Sequence, residues 1–482
     1  MAFTFARKNG RTKLGQDGKR YRSKSESRRK TAQKPQRRSR SFWILLGLLA
    51  LAFLVGGSSR PEIPGLILLR PLAVLIAFYA IAITPIERWR AYLWPVVLMA
   101  LITGMAIAHL VPLPPTVWQS LAGREIILDI EALAGQSEVW MPLAMAPGAA
   151  WNAFYALFVP IAAFFLAMQL DDQDHFWLLV TLTGLGLLSG MVGVIQAAGI
   201  DVKLYAIMSD TPPGLFANRN HQAAMLAMLF PMLALIASSA ERFGLNGGFV
   251  RILAGALAVA VVPLVLVTGS RMGLLVSAVA TLGILFLRLE LLPERWVRRH
   301  GKLLIAGAVA AVLAMIAVIG FAMSRNVAVD RLSLVNEDLR YSVWREVWAF
   351  LPEYLPWGAG NGSYVEIYQL HEPAELLISS YSNHAHNDWL EVVLTMGIPG
   401  LCLLLVAVMA FLIAAWRSAR ARGPQAKFNR LGLLMVLVLA IASLVDYPLR
   451  TPIMAAVFAV ATVWSCRPNQ AIREFKGKEA NV

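Results

Sequence analysis

Two histidines and a carboxylate alternate in His384-x-His386-x-Asp388, inside the run SYSNHAHNDWLEVVLTMGIPG at 380–400. Protonatable groups spaced this closely can accept and hand on a proton near neutral pH, and imidazole is the side chain best matched to that task. Ser382, Asn383, Asn387 and Asp388 are helix-capping types. Asp388 with Glu391 three positions on reads as a capping box, so a helix is expected to begin here. Gly397 and Pro399 should interrupt that helix, and Leu401–Trp416 is apolar enough to enter a bilayer. The spacing therefore predicts His384, His386 and Asp388 where a membrane helix meets water. Such a boundary suits chemistry on something held at the membrane surface.

Four further polar signals are expected on the same side. Phe216-Ala-Asn-Arg-Asn-His221 carries Arg219, Asn220 and His221, and Gly269-Ser-Arg-Met-Gly273 is a tight turn carrying Ser270 and Arg271. Asp446-Tyr-Pro-Leu-Arg450 joins two late apolar stretches, and Arg70 lies within an early one. Arg271 has two readings: a snorkelling side chain on lipid phosphate, or a fixed cation aimed at an anionic ligand. Arg219, flanked by polar neighbours on the same side, supports the second, because guanidinium offers a diphosphate a rigid donor fork. Arg70 would add a third cation, or pack against Asp446.

The HxHxD pattern also occurs in zinc hydrolases. Here Trp389 stands where their fuller pattern has another histidine, and the flanks read as the start of a membrane helix, so no metal is expected. Gly358-x-Gly360-x-Gly362 lacks the βαβ context of a nucleotide fingerprint and reads as a turn permitting close backbone approach. Cys402 and Cys466 lie in apolar stretches and form no disulfide framework.

The elements that must position these groups follow from composition. Hydrophobic residues make up 58% of the 482, and charged ones only 15%. That is an all-α polytopic membrane protein, not a soluble globule. The net charge of +15 is concentrated in residues 1–41, where fifteen Lys and Arg face only Asp17 and Glu26. A basic tail before a membrane span sets orientation and meets anionic membrane lipids; no nucleic-acid-binding pattern accompanies it. Twelve stretches are long and apolar enough to count as spans: 42–57, 64–84, 91–111, 151–169, 176–198, 221–239, 250–268, 272–289, 302–323, 399–416, 429–446 and 452–466. Loop arginines and lysines place both termini inside. The chain then divides into a disordered tail 1–41, nine helices over 42–323, a large outer loop 324–387, three helices over 388–466, and an inner tail 467–482. In the outer loop, Asp338–Phe350 is expected to form an amphipathic helix with Trp344, Val347 and Trp348 on one face, lying on the membrane or capping the spans. A second outer loop, 112–150, opens with the stiff PLPPTVW.

Five of these pieces together resemble the O-antigen ligase and O-antigen polymerase family of bacterial membrane glycosyltransferases. They are FANRNH at 216–221, GSRMGLL at 269–275, Arg340…Trp344…GAGNGSY ending at 364, HAHNDWLEVVLTMGIPG at 384–400, and DYPLR at 446–450. The resemblance runs from about the fifth span to the twelfth, with 236–466 as the O-antigen ligase-like region. It implies a GT-C-like helical fold of the inner membrane with its active site on the periplasmic side. The implied donor is a glycan on undecaprenyl diphosphate. The implied acceptor is lipid A-core for a ligase, or another glycan for a polymerase of O-antigen or exopolysaccharide repeats. Carried over by position, His386 is the essential histidine and Arg219 and Arg271 are the functional arginines. Arg70, Asn220, His221, Ser270, Arg340, His384, Asn387, Asp388, Glu391, Asp446 and Arg450 are supporting candidates.

The chemistry agrees with that assignment. A departing diphosphate needs cations, which Arg219 and Arg271 can supply. An attacking hydroxyl needs a base, which neutral His386 can supply, worth ~10²–10⁴-fold. Direct attack would invert the anomeric centre, with no metal or other cofactor required. The competing reading is a secondary transporter of an anionic solute or lipid-linked glycan. Transporters place their ionisable groups on broken helices near the midplane, whereas here they are expected to gather at one face.

Overall fold

A computed structural model describes residues 38–136, 138–209, 211–289, 335–377 and 381–468. The chain divides at Ser39, and the first unit, Met1–Ser39, lies almost wholly outside the described residues. So do the expected span 302–323, the start of the large outer loop, and nearly all of the C-terminal tail.

From Arg40 onward the chain is built of helices: α1 (Arg40–Val55), α2 (Leu66–Ala82), α3 (Leu93–Ala108), α4 (Pro147–Ala167), α5 (Asp172–Ala197), α6 (Arg219–Ser239), α7 (Gly247–Val267) and α8 (Arg271–Leu287). After the undescribed stretch come α9 (Val335–Phe350), α10 (Tyr364–His371), α11 (Asp388–Arg420), α12 (Pro424–Ala442) and α13 (Pro452–Ser465). Six of these, α4–α7, α11 and α12, are long and apolar enough to cross a membrane, and α1, α2, α3, α8 and α13 are shorter apolar helices. Eleven of the twelve expected stretches are thus helical. The 16 residues of α1 rise only ~24 Å, short of a ~30 Å hydrocarbon core, so length separates the two groups.

The sequence dictates where several helices start. Asp171, Asn218, Asn246, Ser270, Asn387 and Thr451 each cap a helix by accepting a backbone N–H two or three residues on. Three of these caps belong to the polar motifs singled out above, so those motifs begin α6, α8 and α11. The expected capping box at Asp388 and Glu391 is corrected: Asn387 is the cap, bonding the Leu390 amide at 3.1 Å, and Glu391 is used elsewhere.

Helix α6 is the axis of the main core. Met225, Leu226, Met228, Leu229 and Met232 are fully buried, and the helix packs against α5, α7, α8 and α12. Helix α11 contrasts with it: Leu405, Val406, Met409 and Ile413 remain exposed along its later half. An apolar surface of that extent belongs against lipid or a partner helix. A second, smaller core joins α9, α10 and the start of α11 through Val347, Phe350, Tyr364, Ile367, Leu390 and Leu394. Within α9, Trp344 packs on that core, but Trp348 is 63% exposed, so the expected single aromatic face is corrected.

The interruption of α11 is at Gly397, whose φ of 61° and ψ of −151° are open essentially to glycine alone. The Gly358–Gly362 turn fits into that break. The amides of Ala359 and Gly360 bond the carbonyls of Leu394 and Thr395, both at 2.9 Å, and Ile398 N–H bonds Pro356 O at 2.8 Å. These bonds satisfy backbone groups that the kink takes out of the helical ladder. A Cβ on Gly358 would lie 2.6 Å from Gly397 N, so the glycine spacing does permit close backbone approach. The end of α3 and the 112–150 loop dock on the same turn. His109 Nδ1 accepts the Asn361 amide at 2.9 Å, and buried Arg124 donates to the carbonyls of Leu143 (2.8 Å) and Gly358 (3.3 Å).

Candidate active site

The connection between α12 and α13 carries a fully buried carboxylate, Asp446, onto which three of the polar motifs and α9 converge. Asn218 Nδ2 donates to both its oxygens at 3.2 Å, Asn220 Nδ2 to one at 2.5 Å, and the Tyr447 amide to the other at 2.9 Å. His221 Nε2 lies 3.5 Å away, His386 Nδ1 3.6 Å and Arg340 Nη2 3.7 Å. Ser270 reaches the same cluster through Asn220, donating to its Oδ1 at 2.6 Å. Burial opposes ionisation of Asp446, but the flanking histidines and the Arg340 charge outweigh it and hold the carboxyl well below the usual range. Burial also pushes the His386 imidazole below its ordinary value, against the pull of Asp446. The pair is therefore a neutral imidazole beside an ionised carboxylate.

His386 has φ of 50°, the one positive φ outside glycine among the described residues. Histidine is among the types that tolerate this region, and departures of this kind gather at functional sites. The neighbours hold it there: Ala385 O accepts the Trp344 indole N–H at 2.8 Å, and the Ala385 amide donates to Glu391 at 2.9 Å.

A second acidic cluster stands on the other arm of the same segment. Glu391, 1% exposed, accepts from His384 Nδ1 at 3.0 Å and faces Arg450 Nη2 at 3.3 Å. Arg450 Nε also donates to Asp388 at 2.8 Å, and Ser443 Oγ bonds the other Asp388 oxygen at 3.0 Å. Asp388 and Glu391, both supporting candidates from the sequence, are thus two carboxylates sharing one guanidinium. The Tyr447 ring sits between the two clusters, with its centroid 4.6 Å from His384, 4.9 Å from His386 and 5.2 Å from His221.

A cavity of about 1570 Å³ opens beside the second cluster. His384, Asp388, Glu391, Arg450 and Arg70 line one part of it, while Phe286, Leu289 and Ala419 line a distant apolar part. His386, Arg219 and Arg271 are not among its lining residues. Arg70 donates to neutral Asn152 at 2.7 Å, which replaces the expected packing against Asp446. Arg219 and Arg271 open neighbouring helices. Arg219 backs onto the turn before Arg271, its Nη1 3.7 Å from where a Cβ on Gly269 would stand, and it also reaches Thr211 Oγ1 at 3.4 Å. Arg271 is exposed at the first position of α8.

Asn387, expected as a capping residue, is the cap of α11. Tyr447, Asn218 and Asn383 were not among the site candidates, although all three lie inside quoted stretches; Asn383 Oδ1 accepts the Tyr447 hydroxyl at 3.3 Å. Among the described residues no group of three or more His, Cys, Asp and Glu side chains has metal-holding geometry.

Apolar helices around a buried His, Arg and carboxylate cluster define a helical membrane protein with a polar site at helix starts. Residues 256–405 match the family described as O-antigen ligase, which supports an O-antigen ligase family membrane protein. The matched stretch holds Ser270, Arg271, Arg340, His384 and His386, while FANRNH and DYPLR lie outside it. No curated protein matches the chain.

Proposed function

We propose that this protein is a glycosyltransferase that moves a glycan from undecaprenyl diphosphate to an acceptor hydroxyl, at the periplasmic face of the bacterial inner membrane. The observation that carries the reading is the His386–Asp446 pair, with Arg340 near the carboxylate, close to a largely apolar cavity whose polar part holds His384, Asp388, Glu391, Arg450 and Arg70. A lipid-linked donor needs that combination of an apolar wall and a polar end.

In this scheme the acceptor oxygen attacks the anomeric carbon as the bond to diphosphate breaks. The bonding electron pair leaves with the diphosphate, and the centre inverts. His386 Nε2 takes the hydroxyl proton. Asp446, 3.6 Å from Nδ1, stabilises the imidazolium as it forms, and the contact tightens to a hydrogen bond as the charge develops. Arg219 and Arg271, with Arg70 on the cavity wall, are the cations offered to the diphosphate. No metal is assigned a part. Both termini lie in the cytoplasm.

The test is a deletion strain carrying wild-type or His386→Ala protein at matched levels. Loss of transfer with accumulation of lipid-linked glycan is the expected result, and wild-type transfer by the variant would sink the reading. Bare lipid A-core with accumulated polymer identifies a ligase. Single-repeat decoration, or loss of secreted polymer with intact lipopolysaccharide, identifies a polymerase.

A further inference from the structure

The other histidine of the segment, His384, has no part in that scheme, yet it is the one that lines the cavity. His384 is oriented more tightly than His386. Its Nδ1 is fixed at 3.0 Å to Glu391, and Glu391 is itself tied to the Ala385 amide and to Arg450. Every carboxylate oxygen in this cluster is occupied: Glu391 by His384, Ala385 and Arg450, and Asp388 by Arg450 and Ser443. The ring is further held against Tyr447 at 4.6 Å and Tyr364 at 6.5 Å. What the cluster leaves over is His384 Nε2, which has no hydrogen bond among the described residues and does not count among the buried unpaired atoms. A neutral imidazole that donates from Nδ1 to a carboxylate carries its lone pair on Nε2. That atom can accept a hydrogen bond from a hydroxyl. The nearby cavity lining is hydroxyl- and amide-rich: Ser58, Ser59, Tyr381 and Asn383 contribute to it.

We propose that His384, held by Glu391, is an acceptor-positioning residue: its Nε2 accepts a hydrogen bond from a hydroxyl of the acceptor glycan beside the one that is glycosylated. This rests on the glycosyltransferase reading above. The ligand class is a neutral, hydroxyl-bearing sugar, and the contact is made in the ground state as well as during transfer. Its loss is therefore read mainly in the acceptor KM and not in kcat.

The experiment uses purified full-length protein in liposomes. Lipid-linked repeat extracted from the deletion strain is the donor, held saturating. The acceptor is either rough lipopolysaccharide from the same strain or the lipid-linked repeat itself, whichever is glycosylated, and it is titrated. An asparagine amide can stand in for Nδ1, so His384→Asn keeps the Glu391 bond and removes Nε2. A glutamine amide can stand in for Nε2, so His384→Gln restores it. The expected result is an acceptor KM raised about 3–10-fold in His384→Asn, the worth of one neutral hydrogen bond, with kcat within about twofold. Partial recovery of KM is expected in His384→Gln. An unchanged KM in His384→Asn, or a collapse of kcat in both variants, overturns the proposal while leaving the glycosyltransferase reading intact. If wild-type protein glycosylates neither acceptor, it is that underlying reading that fails.

Discussion

His384 and His386 are two residues apart and face different carboxylates: Nδ1 of His384 lies 3.0 Å from Glu391, and Nδ1 of His386 lies 3.6 Å from Asp446. The positive φ at His386 turns the chain between them. Tyr447 touches both rings, so the two pairs share one aromatic partition while their charges stay apart. Each pair can be altered separately, and the predictions below use that.

The rate of transfer should fall on the acid side with an apparent pKa below the ordinary histidine value of ~6.5, because burial holds His386 down. Asp446 pulls the imidazole up, so Asp446→Asn should move that limb to still lower pH and cut the rate on the order of 10²-fold or more. A pH–rate profile for both proteins checks the sign. A limb that moves upward, or stays in place, would remove Asp446 from the proton-transfer scheme.

Arg450 neutralises two carboxylates at once, one of them 1% exposed. Arg450→Met should remove the guanidinium that neutralises both and cost on the order of 3–5 kcal/mol of stability. Thermal unfolding in detergent should show a lower midpoint. Arg450→Lys should recover little, since one ammonium cannot reproduce contacts made from Nε and Nη2.

Gly397→Ala should destabilise the protein by at least ~1–3 kcal/mol. The backbone there has φ of 61°, and a Cβ would come within 2.1 Å of Pro356 O. The same unfolding assay reads it. The neighbouring Gly400→Ala should be milder, because it lacks the positive φ and its nearest clash, at 2.5 Å, is with the Met396 side chain.

Arg70→Ala, by contrast, should leave the fold standing, since among the described residues its hydrogen-bond partner is the neutral side chain of Asn152. If the cavity seats a phosphate-bearing lipid, that variant should weaken retention of undecaprenyl phosphate added to the detergent-solubilised protein about tenfold, near the lower end for a hydrogen bond to a charged group. Equal retention by both proteins would argue that the arginine serves the helices alone.

Much of this site could be read from one dimension. Asn218, Ser270 and Asn387 are capping residues in front of apolar runs, and that pattern alone predicts three helix starts and the segregation of the polar motifs. The kink at Gly397 follows equally from a glycine and a proline inside an apolar run. Less legible was which carboxylate meets which base. Asp446 is 60 residues from His386 and 226 from Asn220, and nothing local distinguishes it from a turn-forming aspartate. The same holds for Arg70, whose partner is 82 positions away. Long-range pairings are set by how the helices pack, and hydropathy carries little information on packing. The Glu391 misreading has a similar origin, because a carboxylate at the fourth position of a helix can serve its own cap or a neighbouring chain with equal ease.

The bonds from Ala359 and Gly360 to the broken stretch of α11 have a mechanical consequence. A loop whose amides complete a membrane helix cannot swing open without uncapping that helix, so this one behaves as a fixed roof. Traffic through a roofed site has to go sideways. On the proposed function, the exposed apolar flank of α11, alongside the cavity, makes the lipid phase the route for a membrane-borne substrate and its spent carrier.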